Sequence, residues 1–163
     1  MNRALSLMLC LLLAACGLKP MYAGGSDGSV ARGLGAVQIA PIPERAGWLV
    51  RNALVDRMGG GSGDPAYRLE VELDEDLIAF GIRGDAAVTR ERRTLRARYQ
   101  LVDLTTGEVV LDATAGSDAG IDIVSSEYAT VAAEQTAQER LAAVVADQMV
   151  ARLALFMSRP KAQ

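Results

Sequence analysis

The sequence predicts an α+β domain, a small four-stranded sheet covered by two helices in the order β-α-β-β-β-α. Three observations carry this prediction. From Tyr67 onward apolar and polar residues alternate with period two, which is the pattern of half-buried strands. On either side of that region, apolar residues recur at helical spacing. A sheet with one apolar face needs cover, and two amphipathic helices supply it.

The elements follow in chain order. Val37-Gln38-Ile39-Ala40 reads as a short strand closed by Pro41 and Pro43. A helix is expected from Glu44 to Met58, with Ala46, Val50, Ala53, Leu54 and Met58 on one face and Trp48, Arg51, Asn52 and Val55 off it. The run Gly59-Gly60-Gly61-Ser62-Gly63 stops that helix. It lacks the Lys-Ser/Thr pair of a phosphate loop and follows a helix instead of opening one, so it reads as a linker.

Tyr67, Leu69, Val71 and Leu73 face one side of the next strand, and Arg68, Glu70, Glu72 and Asp74 face the other. A strand from Val88 to Leu104 points Leu95, Ala97, Tyr99 and Leu101 inward. Gly81-Ile82-Arg83-Gly84-Asp85 reads as the loop between these two strands. After a turn at Thr105-Thr106-Gly107-Glu108, Val109, Leu111, Ala113 and Ala115 form a further alternating strand. Gly116 to Val124 fits either strand or loop. Ser125 or Ser126 caps a last helix with Glu127 in its first turn, running to Met157. Its stripe is Leu141, Val145, Met149, Leu153 and Phe156. Ala129, Ala132, Ala133 and Ala137 allow its first half to pack closely on a sheet, and Gln148 and Arg152 are expected to snorkel at the edge of the stripe.

Arginines crowd the hairpin. If it folds about Gly84, Glu70 faces Arg98, Glu72 faces Arg96 and Asp76 faces Arg92, a set of cross-strand ion pairs worth about 0.2–1 kcal/mol each. Arg96 and Arg98 are assigned to such pairing. Arg83, Arg90, Arg92 and Arg93 lie nearer the tip with fewer acidic partners, and are the candidates for binding an anion such as a lipid phosphate.

Composition removes several classes. The 163 residues favour one domain, and the 50% hydrophobic content supplies a core. Seventeen basic against 20 acidic residues, a net charge of −3, argue against a nucleic-acid protein. There is no histidine, hence no imidazole base and no imidazole metal ligand. No catalytic constellation is found. The acidic run from Glu70 to Asp76 is split between two faces, and no cofactor or metal is implied.

The N-terminus sets the compartment. Arg3 precedes a nearly continuous apolar run from Ala4 to Ala15, too short for a spanning helix of about 20 residues but right for the core of a secretory signal. Leu13-Ala14-Ala15-Cys16 is similar to the bacterial lipobox. That likeness implies cleavage before Cys16 and acylation of its sulfur. Cys10 leaves with the signal and Cys16 is blocked, so neither a disulfide nor a thiol nucleophile is expected. Residue 17 is glycine where the inner-membrane retention signal has aspartate, which favours the outer membrane, on its periplasmic face. The resulting division is 1–15 signal, 16–35 lipidated tether rich in Gly and Ser, 36–158 one α+β domain and 159–163 tail.

Three stretches carry a family likeness. "CGLKPMY" at residues 16–22, "RAGWLVRNAL" at 45–54 and "SEYATVAAEQTAQERL" at 126–141 resemble segments of the LptE lipopolysaccharide-assembly lipoproteins in their alphaproteobacterial form. Leu18 and Val50 depart from the family's usual aromatic and leucine. The resemblance implies a small mixed sheet covered by two helices. It also implies an outer-membrane lipoprotein that plugs and helps assemble the LptD β-barrel and helps deliver lipopolysaccharide to the outer leaflet. The partners are then that barrel, lipopolysaccharide and the membrane through the N-terminal lipid, with no nucleic acid. Trp48 is a candidate partner contact. An alternative keeps the same anchor but makes the domain an adaptor or pilotin for another envelope machine.

Overall fold

The computed structural model describes residues 28–59, 64–82 and 88–159. The described residues form a four-stranded mixed sheet and three helices, α1 (Ser29–Gly35), β1 (Val37–Ile39), α2 (Glu44–Met58), β2 (Tyr67–Ile82), β3 (Val88–Asp103), β4 (Val109–Asp122) and α3 (Glu127–Met157). The strands lie in the order β1-β2-β3-β4. β1 runs parallel to β2, with α2 as the crossover, and β2, β3 and β4 are antiparallel neighbours. No described helix is long and apolar enough to cross a membrane.

α1 corrects the expected division, because it lies inside the stretch read as tether. Its Val30 and Leu34 are buried in the same core as the sheet. Gly33 packs so closely on the end of α3 that a Cβ there would stand 3.1 Å from Met157. The Gly and Ser content around this segment masked two well-spaced apolar residues.

α2 follows the two prolines and ends where Gly59, at φ 82°, donates its N–H to the Val55 carbonyl. Ala46, Val50, Leu54 and Met58 are buried as the spacing predicts. Gly47 is also buried, and a Cβ there would sit 2.7 Å from the Ile42 carbonyl oxygen, so only glycine lets the helix start this close to the preceding loop. α3 is capped by the Ser126 hydroxyl, which accepts the Ala129 N–H at 3.4 Å. At 31 residues it spans about 46 Å, the length of the sheet. Leu141, Val145, Met149 and Leu153 close the core against Leu69, Leu95, Tyr99 and Leu101. Phe156 packs edge-on against Tyr67 with ring centroids 6.3 Å apart. Burial pushes the Tyr99 phenol above its ordinary pKa. On the flank, Arg57 of α2 holds Asp147 of α3 in a two-bond ion pair.

The hairpin register differs from the expected one by two residues. Leu69 faces Leu101, Glu72 faces Arg98, Asp74 faces Arg96 and Asp76 faces Thr94, so the turn is centred on residue 85. A shift of two preserves the faces, which is why the alternation alone could not distinguish the two registers. β4 runs on to Asp122 and settles the ambiguous segment as strand. The alanines of α3 are less engaged than expected, with Ala137 buried, Ala133 half-buried and Ala129 and Ala132 exposed.

Candidate functional site

Beyond Leu73 the β2–β3 hairpin continues as an arm, and there the two faces exchange character. On the side that carries the core lower down, Glu75, Glu91 and Arg93 now stand among Leu77 and Ala79. The Arg93 guanidinium reaches Glu75 at 2.6 Å and Glu134 of α3 at 3.7 Å. The Gln138 amide donates to both Glu75 oxygens at 3.1 Å. The Arg93 side chain is only 13% exposed, and its Nε and Glu91 Oε2 are buried with no hydrogen-bond partner. This polar cluster docks the first half of α3 onto the arm. Arg93 is therefore placed away from an anion site, neutralised by carboxylates the sequence could not bring to it, since Glu134 comes from another element.

The opposite face of the arm turns apolar. Ile78 is 54% exposed and Phe80 38%; Leu77 is exposed too, but on the other face, opposite Arg93. Phe80 faces Arg90, and Ile78 faces Arg92. The Arg92 guanidinium lies over the Phe80 ring, 5.5 Å from its centroid, an arrangement that holds the cation beside apolar surface without neutralising it. Gly81, at φ 77°, lets the strand kink here, and the Thr89 hydroxyl donates to its carbonyl at 2.8 Å. Arg90 is exposed but engaged, with Nε 2.8 Å from Asp122 of β4. Arg83 lies outside the described residues.

The residues assigned to ion pairing are also redistributed. Arg98 pairs with Asp112 of β4 at 3.1 Å, not with Glu70. Gln100 donates to the same carboxylate at 2.9 Å, and together these donors hold Asp112 below the usual carboxylate range. Glu70 pairs along its own strand with Arg68 at 2.8 Å. Among the described residues Arg92 and Arg96 have no carboxylate within ion-pairing distance, and neither Glu72 nor Asp76 has a cation there. Arg96 instead lies along Gly116, its Cγ 3.3 Å from where a Cβ would be. Trp48 stands 62% exposed on the outer face of α2.

One contact was not anticipated. Gln148 does not snorkel; its amide accepts from the Gly116 N–H at 3.1 Å and donates to the Gly116 carbonyl at 3.3 Å. It thereby satisfies one position on the outer edge of β4. The signal was present in the sequence as a polar residue inside an apolar stripe. The Arg57–Asp147 pair left no such signal, because each residue sits on an ordinary solvated helix flank.

A helix-covered sheet with a projecting, cation-bearing apolar arm defines a binding and assembly module. The chain matches the LptE lipopolysaccharide-assembly family over residues 34–153. It belongs to that family, a non-enzymatic one of outer-membrane lipoproteins. It is 25% identical over 153 residues to an uncharacterized protein of Rickettsia prowazekii, covering 94% of this chain and 96% of the relative. Among solved structures it resembles a Caulobacter crescentus protein described as a lipoprotein, with a TM-score of 0.69 and 26% identity, covering 82% of this chain and all of the other. Rare lipoprotein B of Shewanella oneidensis shares the fold at a TM-score of 0.57 and 10% identity, over 74% of this chain and 92% of that one. A minor lipoprotein of Acinetobacter baumannii does so at 0.55 and 17%, over 78% and 93%.

Proposed function

We propose that the chain is exported, cleaved before Cys16 and held by lipid at that residue on the periplasmic face of the outer membrane. There it serves as the partner and plug of an LptD-like β-barrel and helps pass lipopolysaccharide to the outer leaflet. The observation that carries this reading is the family match across the whole folded unit, β1 through most of α3. The tip of the arm supports it chemically. Arg92, without an ion pair among the described residues and beside Phe80 and Ile78, offers a cation and apolar surface together, the combination that a phosphorylated glycolipid presents in complement. Arg90 can exchange Asp122 for a phosphate, since both side chains are exposed. Arg83 belongs to the same proposed site by its place in the chain.

The test is to purify the chain through a C-terminal tag and identify what accompanies it. A large β-barrel that copurifies, with surface lipopolysaccharide falling when the chain is depleted, is the expected result. Monomeric behaviour with normal surface lipopolysaccharide after depletion would reject the reading. Cys16→Ser should abolish lipid labelling and leave the precursor uncleaved.

A further inference from the structure

β4 is an edge strand, and its backbone shows where it is open. Gly116 turns both its N–H and its C=O outward, to the Gln148 amide. At the other end, Ile123 donates inward to the Thr89 carbonyl. No irregularity interrupts the β3–β4 register between these points. Inward and outward residues alternate along an antiparallel strand. Asp118, Gly120 and Asp122 therefore present their backbone groups outward as Gly116 does. Among the described residues no hydrogen bond is found to those groups.

No described residue fills the space beside this edge, and that space is shaped. A groove of about 430 Å³ runs between residues 119–122 of β4 and the flank of α3, where Ala132, Ala133, Thr136 and Ala137 keep the side chains short. Arg140 stands at its margin. Gln148 closes the edge below Asp118, so the open segment is about five residues long, the length of one ordinary strand.

We infer that the β4 edge at 118–122 receives an extended polypeptide as a fifth strand, with basic residues on one face of that strand and small apolar residues on the other. The chemistry of the two faces sets this preference. On the uncovered face of the sheet the edge shows Asp118 and Asp122, both exposed; Asp122 already holds Arg90 at 2.8 Å, while Asp118 has no ion pair among the described residues and carries the preference. A lysine or arginine opposite them is favoured, and a carboxylate is disfavoured. On the other face the groove is lined mainly by alanine, with Ile121, Thr136 and Arg140. A second copy of this chain is a poor occupant. Antiparallel self-pairing centred on Gly120 would set Asp118 against Asp122 of the other copy, like charges directly opposed.

Gly120 gives a clean test. A Cβ there meets nothing within 4 Å, and its φ lies outside the left-handed region, so Gly120→Ala keeps the fold. Gly120→Pro removes only an outward N–H and fills the edge with its ring, which an edge strand tolerates. The probe is a fluorescent peptide of alternating lysine and valine, with an alternating glutamate and valine peptide as control, titrated into the full chain. Binding of the lysine peptide is expected to be equal in wild type and Gly120→Ala and at least tenfold weaker in Gly120→Pro. The glutamate peptide is expected to bind at least tenfold more weakly than the lysine peptide. Amide exchange at Asp118, Gly120 and Asp122 should slow on binding. If Gly120→Pro does not fold, Asp118→Lys with Asp122→Lys serves instead, and should reverse the preference between the peptides.

Absence of binding, binding unchanged by proline, unchanged preference after charge reversal, or protection appearing at β1 instead would each overturn the inference. A wild-type dimer that Gly120→Pro dissociates would assign the edge to a second copy, and would overturn it also. The outcome is independent of the barrel reading, since the peptide assay uses this chain alone.

Discussion

The two ends of the β2–β3 hairpin are built from the same strands under one register, yet they obey opposite rules. From Tyr67 to Leu73 and from Leu95 to Asp103 the inward residues are aliphatic or Tyr99, and α3 covers them. From Glu75 to Ile82 and from Val88 to Arg93 the inward positions carry Glu75, Glu91 and Arg93, while the outward ones carry Ile78 and Phe80. Apolar burial holds the first end together. At the second, a polar cluster docks α3, and exposed apolar surface lies beside Arg92, which has no carboxylate partner among the described residues. Exposed apolar surface contributes little to folding, and the proposed lipid contact is what would account for it on the arm.

That contrast predicts an ordered series of effects. The largest belongs to the covered end. Leu153 has no exposed surface, and Leu153→Ala should cost about 2–5 kcal/mol in chemical denaturation. Gly47→Ala comes next at about 1–3 kcal/mol, because its Cβ would overlap the Ile42 carbonyl and backbone would have to shift. Arg93→Ala should cost about 1–3 kcal/mol, by leaving Glu75 and Glu134 without their shared cation. Its specific signature is faster amide exchange in the first half of α3 with the second half unchanged. If the melting temperature fell while exchange rose uniformly, the cluster would not be a local dock.

The pH response should be smaller. The Asp112 carboxyl is held low by Arg98 and Gln100, so its contribution to stability is full above the ordinary carboxylate pKa of about 3.9 and is lost as pH falls through its lower folded value. Asp112→Asn should therefore flatten part of the acid limb of the stability curve below about pH 4 and change little at neutrality. An unaltered acid limb would show that the pair is not formed in solution.

How much of this was legible in the sequence follows from which interactions are local. Helix faces and strand alternation are local patterns, so α2, β2, β3 and the second half of α3 were read with the right faces. α1 was missed because two apolar residues in a Gly-rich stretch make no period. The hairpin register was off by two because both alignments bury the same face, and the turn residues did not discriminate. The arginine roles were the least legible. Arg93 and Arg98 find Glu134 and Asp112 on elements far along the chain, and Arg96, matched on paper to Glu72, is left without a carboxylate. The family likeness, in contrast, rested on short motifs and holds across residues 34–153.

The smallest expected effect on stability is at the tip of the arm, and it is the most telling. Replacing Ile78, Phe80 and Arg92 together by serine should move the unfolding free energy by no more than about 0.5 kcal/mol per position, as expected of exposed positions outside the core. The decisive measurement is lipopolysaccharide binding by this triple variant beside the wild-type chain. The account predicts a folded protein whose affinity falls at least tenfold. A variant that is folded and binds as the wild type does would contradict it.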